Sequence, residues 1–115
     1  MSKNIILIGA GGLGKEVFHW FNSDDEFEYN IKGFLDRSDP DFSQCKIKPK
    51  FLGNEDSYHF SDNDFVAITI ADIEARTKIY SKLKHKVKFS NLIHSRSIVS
   101  NNVEIGLGNI ICPNC

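Results

Sequence analysis

Glycines at positions 9, 11, 12 and 14 form Gly9-Ala10-Gly11-Gly12-Leu13-Gly14, a G-x-G-x-x-G spacing placed directly after the aliphatic run Ile5 to Ile8. Between a strand and a helix, such a turn removes the side chains that would keep a diphosphate away from the helix's first N–H groups, where the helix dipole also favours negative charge. Gly14 would let the helix pack closely on the strand. A nucleotide or phosphate site satisfies this spacing, and so does a merely tight turn. Asp36 stands about 20 residues beyond Gly14, at the end of a second apolar run, where dinucleotide folds place the carboxylate that accepts from ribose hydroxyls. Arg37 follows it and could pair with phosphate or lie over a base; a solvated Asp-Arg turn is the alternative for both residues. Ala71 and Asp72 close a further apolar run, near the crevice where open α/β sheets hold ligands. Asp72 is equally suited to capping the helix that follows.

Other chemistry-bearing residues are scattered. His19 borders an apolar stripe, and His59 and His85 lack a carboxylate or cysteine at metal-binding spacing. His94 stands where two sequence patterns meet, a place for an interface or structural histidine or for a contact with a ligand between domains. Cys112-Pro113-Asn114-Cys115 reads as CxxC, yet one pair supplies only two of the four ligands of a structural zinc. No metal site, nucleophile elbow or phosphate-transfer P-loop is expected.

The elements that would position these residues follow from apolar periodicity. Ile5 to Ile8 has the continuous hydrophobicity of a strand covered on both faces. Leu13, Val17 and Phe21 recur every four residues and predict a helix over 13–22. A polar return over 22–28 leads to a second strand over 31–36, so the unit is a right-handed strand-helix-strand crossover. Residues 37–50 read as loop, 51–53 as a brief edge strand and 55–60 as a short helix. Phe65 to Ile70 is the next buried strand, followed by a helix over 73–84 with Ala75, Ile79 and Leu83 inward, then a strand over 87–89. The fold class is α/β: a small Rossmann-like parallel-sheet domain over 1–91.

Residues 92–115 change period. Ile93, Val99, Ile105 and Ile111 are six apart, with Ser97, Val103, Asn109 and Cys115 at the fifth place of each hexad. Three hexads, roughly 18 residues, make one coil of a left-handed parallel β-helix, and a single coil cannot bury its apolar face unaided. An incomplete start of such a helix is therefore expected, truncated at the last residue.

The chain has 115 residues, 41% of them hydrophobic, enough for one ordinary core. A net charge of -1 gives no general electrostatic reason to bind nucleic acid or anionic lipid. Three cysteines without a signal peptide fit a reducing, cytoplasmic setting, and the opening apolar run is too short for a membrane span.

Together, Ile8 to Val17, Gly33-Phe34-Leu35-Asp36, Ile68 to Arg76, Leu92-Ile93-His94-Ser95 and Ile98-Val99-Ser100 resemble the sugar O-acyltransferases of the sialic-acid type and the bacterial nucleotide-sugar N-acetyltransferases. The resemblance implies a front domain that binds a uridine diphosphate sugar or amino-sugar, and a β-helix that forms homotrimers and binds acetyl-CoA as co-substrate between subunits. Gly9, Gly11, Gly12, Leu13 and Gly14 match the loop over which the nucleotide lies. Asp36 and Arg37 match the acidic strand end, and Ala71 and Asp72 the turn after the later strand. Leu13 stands where the family commonly has histidine, and Ala71 where it has glycine. The family's catalytic histidine lies farther along the β-helix, so this stretch is expected to bind substrate without transferring acetyl groups or holding acetyl-CoA tightly. An NAD-binding dehydrogenase or sensor domain and a non-catalytic regulatory or assembly module are the alternatives.

Overall fold

Strand β1 (Asn4–Ile8) lies in the middle of a parallel sheet of order β2-β1-β3-β4, with β2 at Asn30–Leu35, β3 at Asp64–Ile68 and β4 at Lys88–Phe89. Helix α1 (Gly12–Asn22) links β1 to β2, and α2 (Ile73–Leu83) links β3 to β4. The computed structural model describes residues 4–24, 27, 29–38, 40–43, 45, 47–90, 92, 93, 110 and 111.

Successive strand residues point to opposite faces, and β1 is apolar at every position from Ile5 to Ile8 because both faces are covered. Ile5 and Leu7 join Val17, Phe18 and Phe21 of α1, together with Phe34 and Ala67, in one core. Ile6 and Ile8 join Leu35, Val66 and, from α2, Ile79 and Leu83 in a second core across the sheet. The two helices therefore sit on opposite faces, and the carboxyl ends of β1, β2 and β3 open at one edge between them.

The expected edge strand is a single parallel bridge, Phe51 to Phe34, with hydrogen bonds from Phe34 N to Lys50 O and from Leu52 N to Phe34 O, both 2.8 Å. No helix forms over 55–60. Asn54 Oδ1 instead accepts from the backbone N–H groups of Asp56 (2.9 Å) and Ser57 (3.0 Å), an Asx turn that competes with helical hydrogen bonding. Strand β5 (Leu92–Ile93) pairs in parallel with β6 (Ile110–Ile111), Leu92 opposite Ile110 and Ile93 opposite Ile111, and Leu92 is buried in the α1-side core. His94, Cys112, Cys115 and the hexad positions Ser97, Val99, Val103, Ile105 and Asn109 lie outside the described residues.

At the other end of the sheet, Asp64 opens β3 and is buried, 2% exposed. Its oxygens accept from Ser61 N (2.9 Å) and Asn4 Nδ2 (3.4 Å), and Lys32 Nζ lies 3.5 Å away. Burial pushes the Asp64 carboxyl up, but the Ser61 N–H, the Lys32 charge and the Asn4 amide outweigh it and hold the pKa below its ordinary 3.8. A depressed folded-state pKa contributes stability above the ordinary value that is lost as pH falls through the folded value. Asp64→Ala should cost about 1–3 kcal/mol in urea denaturation at pH 7, since it removes the charged acceptor of the Ser61 and Asn4 hydrogen bonds and the partner of Lys32. The gap between wild type and variant should narrow as pH falls below 3.8, and a gap that widened with acid would contradict this role.

Candidate functional site

The turn from β1 into α1 is shaped by two close approaches. Gly9 has φ +110, and a Cβ there would collide with the Ile70 side chain and stand 3.0 Å from the Thr69 carbonyl oxygen. Thr69, itself buried, donates its hydroxyl to the Gly9 carbonyl at 2.7 Å. A Cβ at Gly14 would collide with that same Gly9 carbonyl oxygen and reach Phe34 Cε1 at 3.0 Å. The helix backbone thus rests against the strand end, as the spacing predicts. Around Gly11 and Gly12 there is open space instead, with nothing within 4 Å of an added Cβ.

The two helix starts differ in how their N–H groups are served. Asp72 caps α2, accepting from Ala75 N at 2.9 Å, and Glu74 adds an acid in the first turn. Gly11 caps α1 with no side-chain hydrogen bond, and the first turn carries no acid. The opening N–H groups of α1 thus lack a side-chain acceptor at the cap, where Gly11 and Gly12 are exposed and the positive end of the helix dipole lies.

Asp36, just past β2, reaches back to this turn. One carboxylate oxygen accepts from Ala10 N at 3.0 Å and the other from Arg37 N at 2.6 Å. Gly9 N also donates to Leu35 O at 2.9 Å, so the ends of β1 and β2 are tied through both backbone and side chain. An ionised carboxylate has about four acceptor sites, so lone pairs remain for a ligand's hydroxyls.

A cavity of about 330 Å³ opens at the carboxyl ends of β1, β2 and β3 against the start of α2. Gly9, Asp36, Arg37 and Asp72, four of the residues singled out from sequence, come together in its wall. Gly11 and Gly12 are exposed at the α1 start and are not among the lining residues; Gly14 is buried in the turn. Leu13 packs partly buried against the α1-side core, and Ala71 is exposed outside the lining. Glu55, Ile70, Ala75 and Lys78 complete much of the wall and were not legible as site residues. Glu55 comes from the Asx turn that follows the edge bridge at Phe51; the Gly53-Asn54 pair was the one local signal of a turn there.

His19, His59 and His85 are exposed, and none lines the cavity. Among the described residues no group of three or more His, Cys, Asp or Glu is placed to hold a metal ion. No helix among them is long and apolar enough to cross a membrane.

A family described as the PglD N-terminal domain matches residues 4–83. A search of curated proteins finds no significant match. Among solved structures, the fold is similar to the acetyltransferase domain of PglB from Neisseria gonorrhoeae FA1090, solved in complex with acetyl coenzyme A, with a TM-score of 0.73 at 20% identity. That likeness covers 98% of this chain and 54% of the other, so the chain spans about half the length of the structure it matches.

The contrast among the glycines predicts opposite responses to one methyl group. Gly14→Ala should destabilise by about 1–3 kcal/mol, the range for forcing atoms into a packed site. Gly12→Ala, in open space at the first helical position, should be neutral or stabilising by up to about 1 kcal/mol. Thermal and urea unfolding of the two variants measure the difference, and equal costs would contradict the packing described.

Proposed function

The chain belongs to the PglD N-terminal domain family, and from that premise we propose that it is the substrate-binding portion of an acetyl-CoA-dependent acyltransferase that acetylates a nucleotide-linked sugar or amino-sugar. The observation that carries this reading is the start of α1, which has no side-chain cap and follows Gly9 of the cavity wall by three residues. The diphosphate of a UDP-linked sugar would take the N–H groups from Gly11 to Gly14, where bare donors and the helix dipole meet negative charge. Asp36 would accept from ribose hydroxyls with its remaining lone pairs while still holding the loop. Arg37 and Asp72 would border the ligand, with Ala71 and Leu13 at its margin.

Acetyl transfer itself is assigned to a larger assembly. Residues 1–91 would form the nucleotide-sugar domain and 92–115 the beginning of a left-handed β-helix, a reading supported by the parallel register of Leu92 with Ile110, the one that three successive hexads impose. Acetyl-CoA would bind along that helix in a cytoplasmic homotrimer, and the bound acetyl-CoA of the PglB domain is in keeping with this for that protein. There the sugar's amine or base-activated hydroxyl would attack the thioester carbonyl, held in line by the bound nucleotide. The NAD reading has less behind it, because the four-stranded sheet among the described residues provides one mononucleotide half.

Calorimetric titration with UDP tests the proposal. Binding is expected in the wild type, and Gly11→Val, whose extended backbone at φ -79 and ψ -160 accepts a branched residue, should lose at least about 10-fold in affinity while keeping its circular dichroism. One lost set of charged hydrogen bonds is enough for that factor. Unchanged affinity in a folded Gly11→Val would sink the assignment, and preference for NADH over UDP would favour the dehydrogenase reading.

A further inference from the structure

Glu55 is a carboxylate that the fold buries with one long ion pair, to Lys82, and no hydrogen bond to its side chain among the described residues. The residue is 5% exposed, yet it lines the cavity. Its ion-pair partner, Lys82 Nζ, lies 3.8 Å away, beyond hydrogen-bond distance, and is shared with Asp56. No hydrogen bond to the Glu55 side chain occurs among the described residues, and none of their sealed-off side-chain oxygens lacks a partner. Each Glu55 oxygen therefore keeps some access to solvent, on a residue that lines the cavity. A buried carboxylate left in that state is costly unless something donates to it.

The loop that presents Glu55 is built to hold it still. Gly53 adopts φ +105 and its carbonyl accepts from Asp36 N at 2.9 Å, which fixes the loop to the end of β2. The Asn54 side chain then locks the next turn through Asp56 N and Ser57 N. Glu55 is thus registered against Asp36, on the side of β2 away from β1. A nucleotide whose phosphates sit at the α1 start and whose ribose passes Asp36 brings its base to this carboxylate.

The charges of the wall agree with that orientation. Asp36, Glu55, Asp72 and Glu74 outnumber Arg37 and Lys78, so the cavity repels phosphate and suits a neutral group rich in donors. Its volume of about 330 Å³ is at the small end of the roughly 300–1,000 Å³ range of ligand pockets, which fits a pyrimidine nucleoside better than two linked nucleotides.

Resting on the nucleotide-binding reading above, we propose that Glu55 reads the base: its carboxylate accepts a hydrogen bond from the imide N–H of uracil. An ionised carboxylate has acceptors only, so cytosine, which presents a lone pair at the same ring position, meets an unpaired acceptor there. A buried polar group left facing the wrong partner discriminates far more strongly than a change of shape.

The test is calorimetry on the whole chain with UDP, CDP and N3-methyl-UDP, repeated on Glu55→Gln. Wild type should bind UDP at least about 10-fold more tightly than either CDP or N3-methyl-UDP. Glu55→Gln, whose amide can donate as well as accept, should bring the UDP and CDP affinities together. Equal affinity of wild type for UDP and N3-methyl-UDP, or an unaltered UDP preference in a folded Glu55→Gln, overturns the role of Glu55 while leaving nucleotide binding in place. Should the variant not fold, the methylated ligand on wild type still decides. Failure of all three ligands to bind overturns the nucleotide reading and this inference with it.

Discussion

The site depends on one close contact, the backbone of Gly14 lying against the carbonyl of Gly9. Without a side chain at position 14, α1 can leave β1 through a short turn and keep its opening N–H groups over the end of the sheet. Any larger residue would push the helix start away and move those donors with it. Thr69 and Ile70 hold the other side of the same carbonyl and Gly9 itself, so the turn is gripped between α1 and the segment after β3. Asp36 completes the grip by accepting from Ala10 N. Loop and strand ends are tied together because these contacts converge on the Gly9–Ala10 backbone.

The two helices show how local chemistry divides labour in a doubly wound unit. Asp72 satisfies the start of α2 internally, at the cost of no ligand, whereas the start of α1 is left without a cap. Asp36 and Asp72, both at strand ends and both in the cavity wall, have become respectively a tie to the glycine loop and a helix cap. Each retains acceptor capacity. The structural and the binding readings of such residues are therefore compatible.

Much of this was legible in sequence where the signal is local and periodic. The Ile5 to Ile8 run, the four-residue spacing of Val17 and Phe21, and the pair Ile79 and Leu83 mark the strand and helix faces that are buried. The glycine spacing located the turn, and the strand-end positions of Asp36 and Arg37 placed them at the cavity. What escaped depends on contacts distant in sequence. Glu55 reads as part of a polar helix until the Asn54 turn and the bridge from Phe51 to Phe34 bring it inward. Thr69 ends an apolar run, and nothing local reveals that its hydroxyl serves the carbonyl of Gly9. Leu13 is one turn along the same stripe as Val17, and packing draws it to the core.

Membership of the PglD N-terminal domain family sets the fold in context, and the physical claim beneath the proposed function is narrower: the uncapped N–H groups at the start of α1 hold an anion. Amide chemical shifts recorded while UDP is added to the isotopically labelled chain test that claim most directly. The account predicts that the largest changes fall on the amides of Gly11, Gly12 and Leu13, with smaller ones at Asp36 and Arg37. Changes confined to other parts of the chain, with the amides from Gly11 to Gly14 unmoved at saturation, would contradict it.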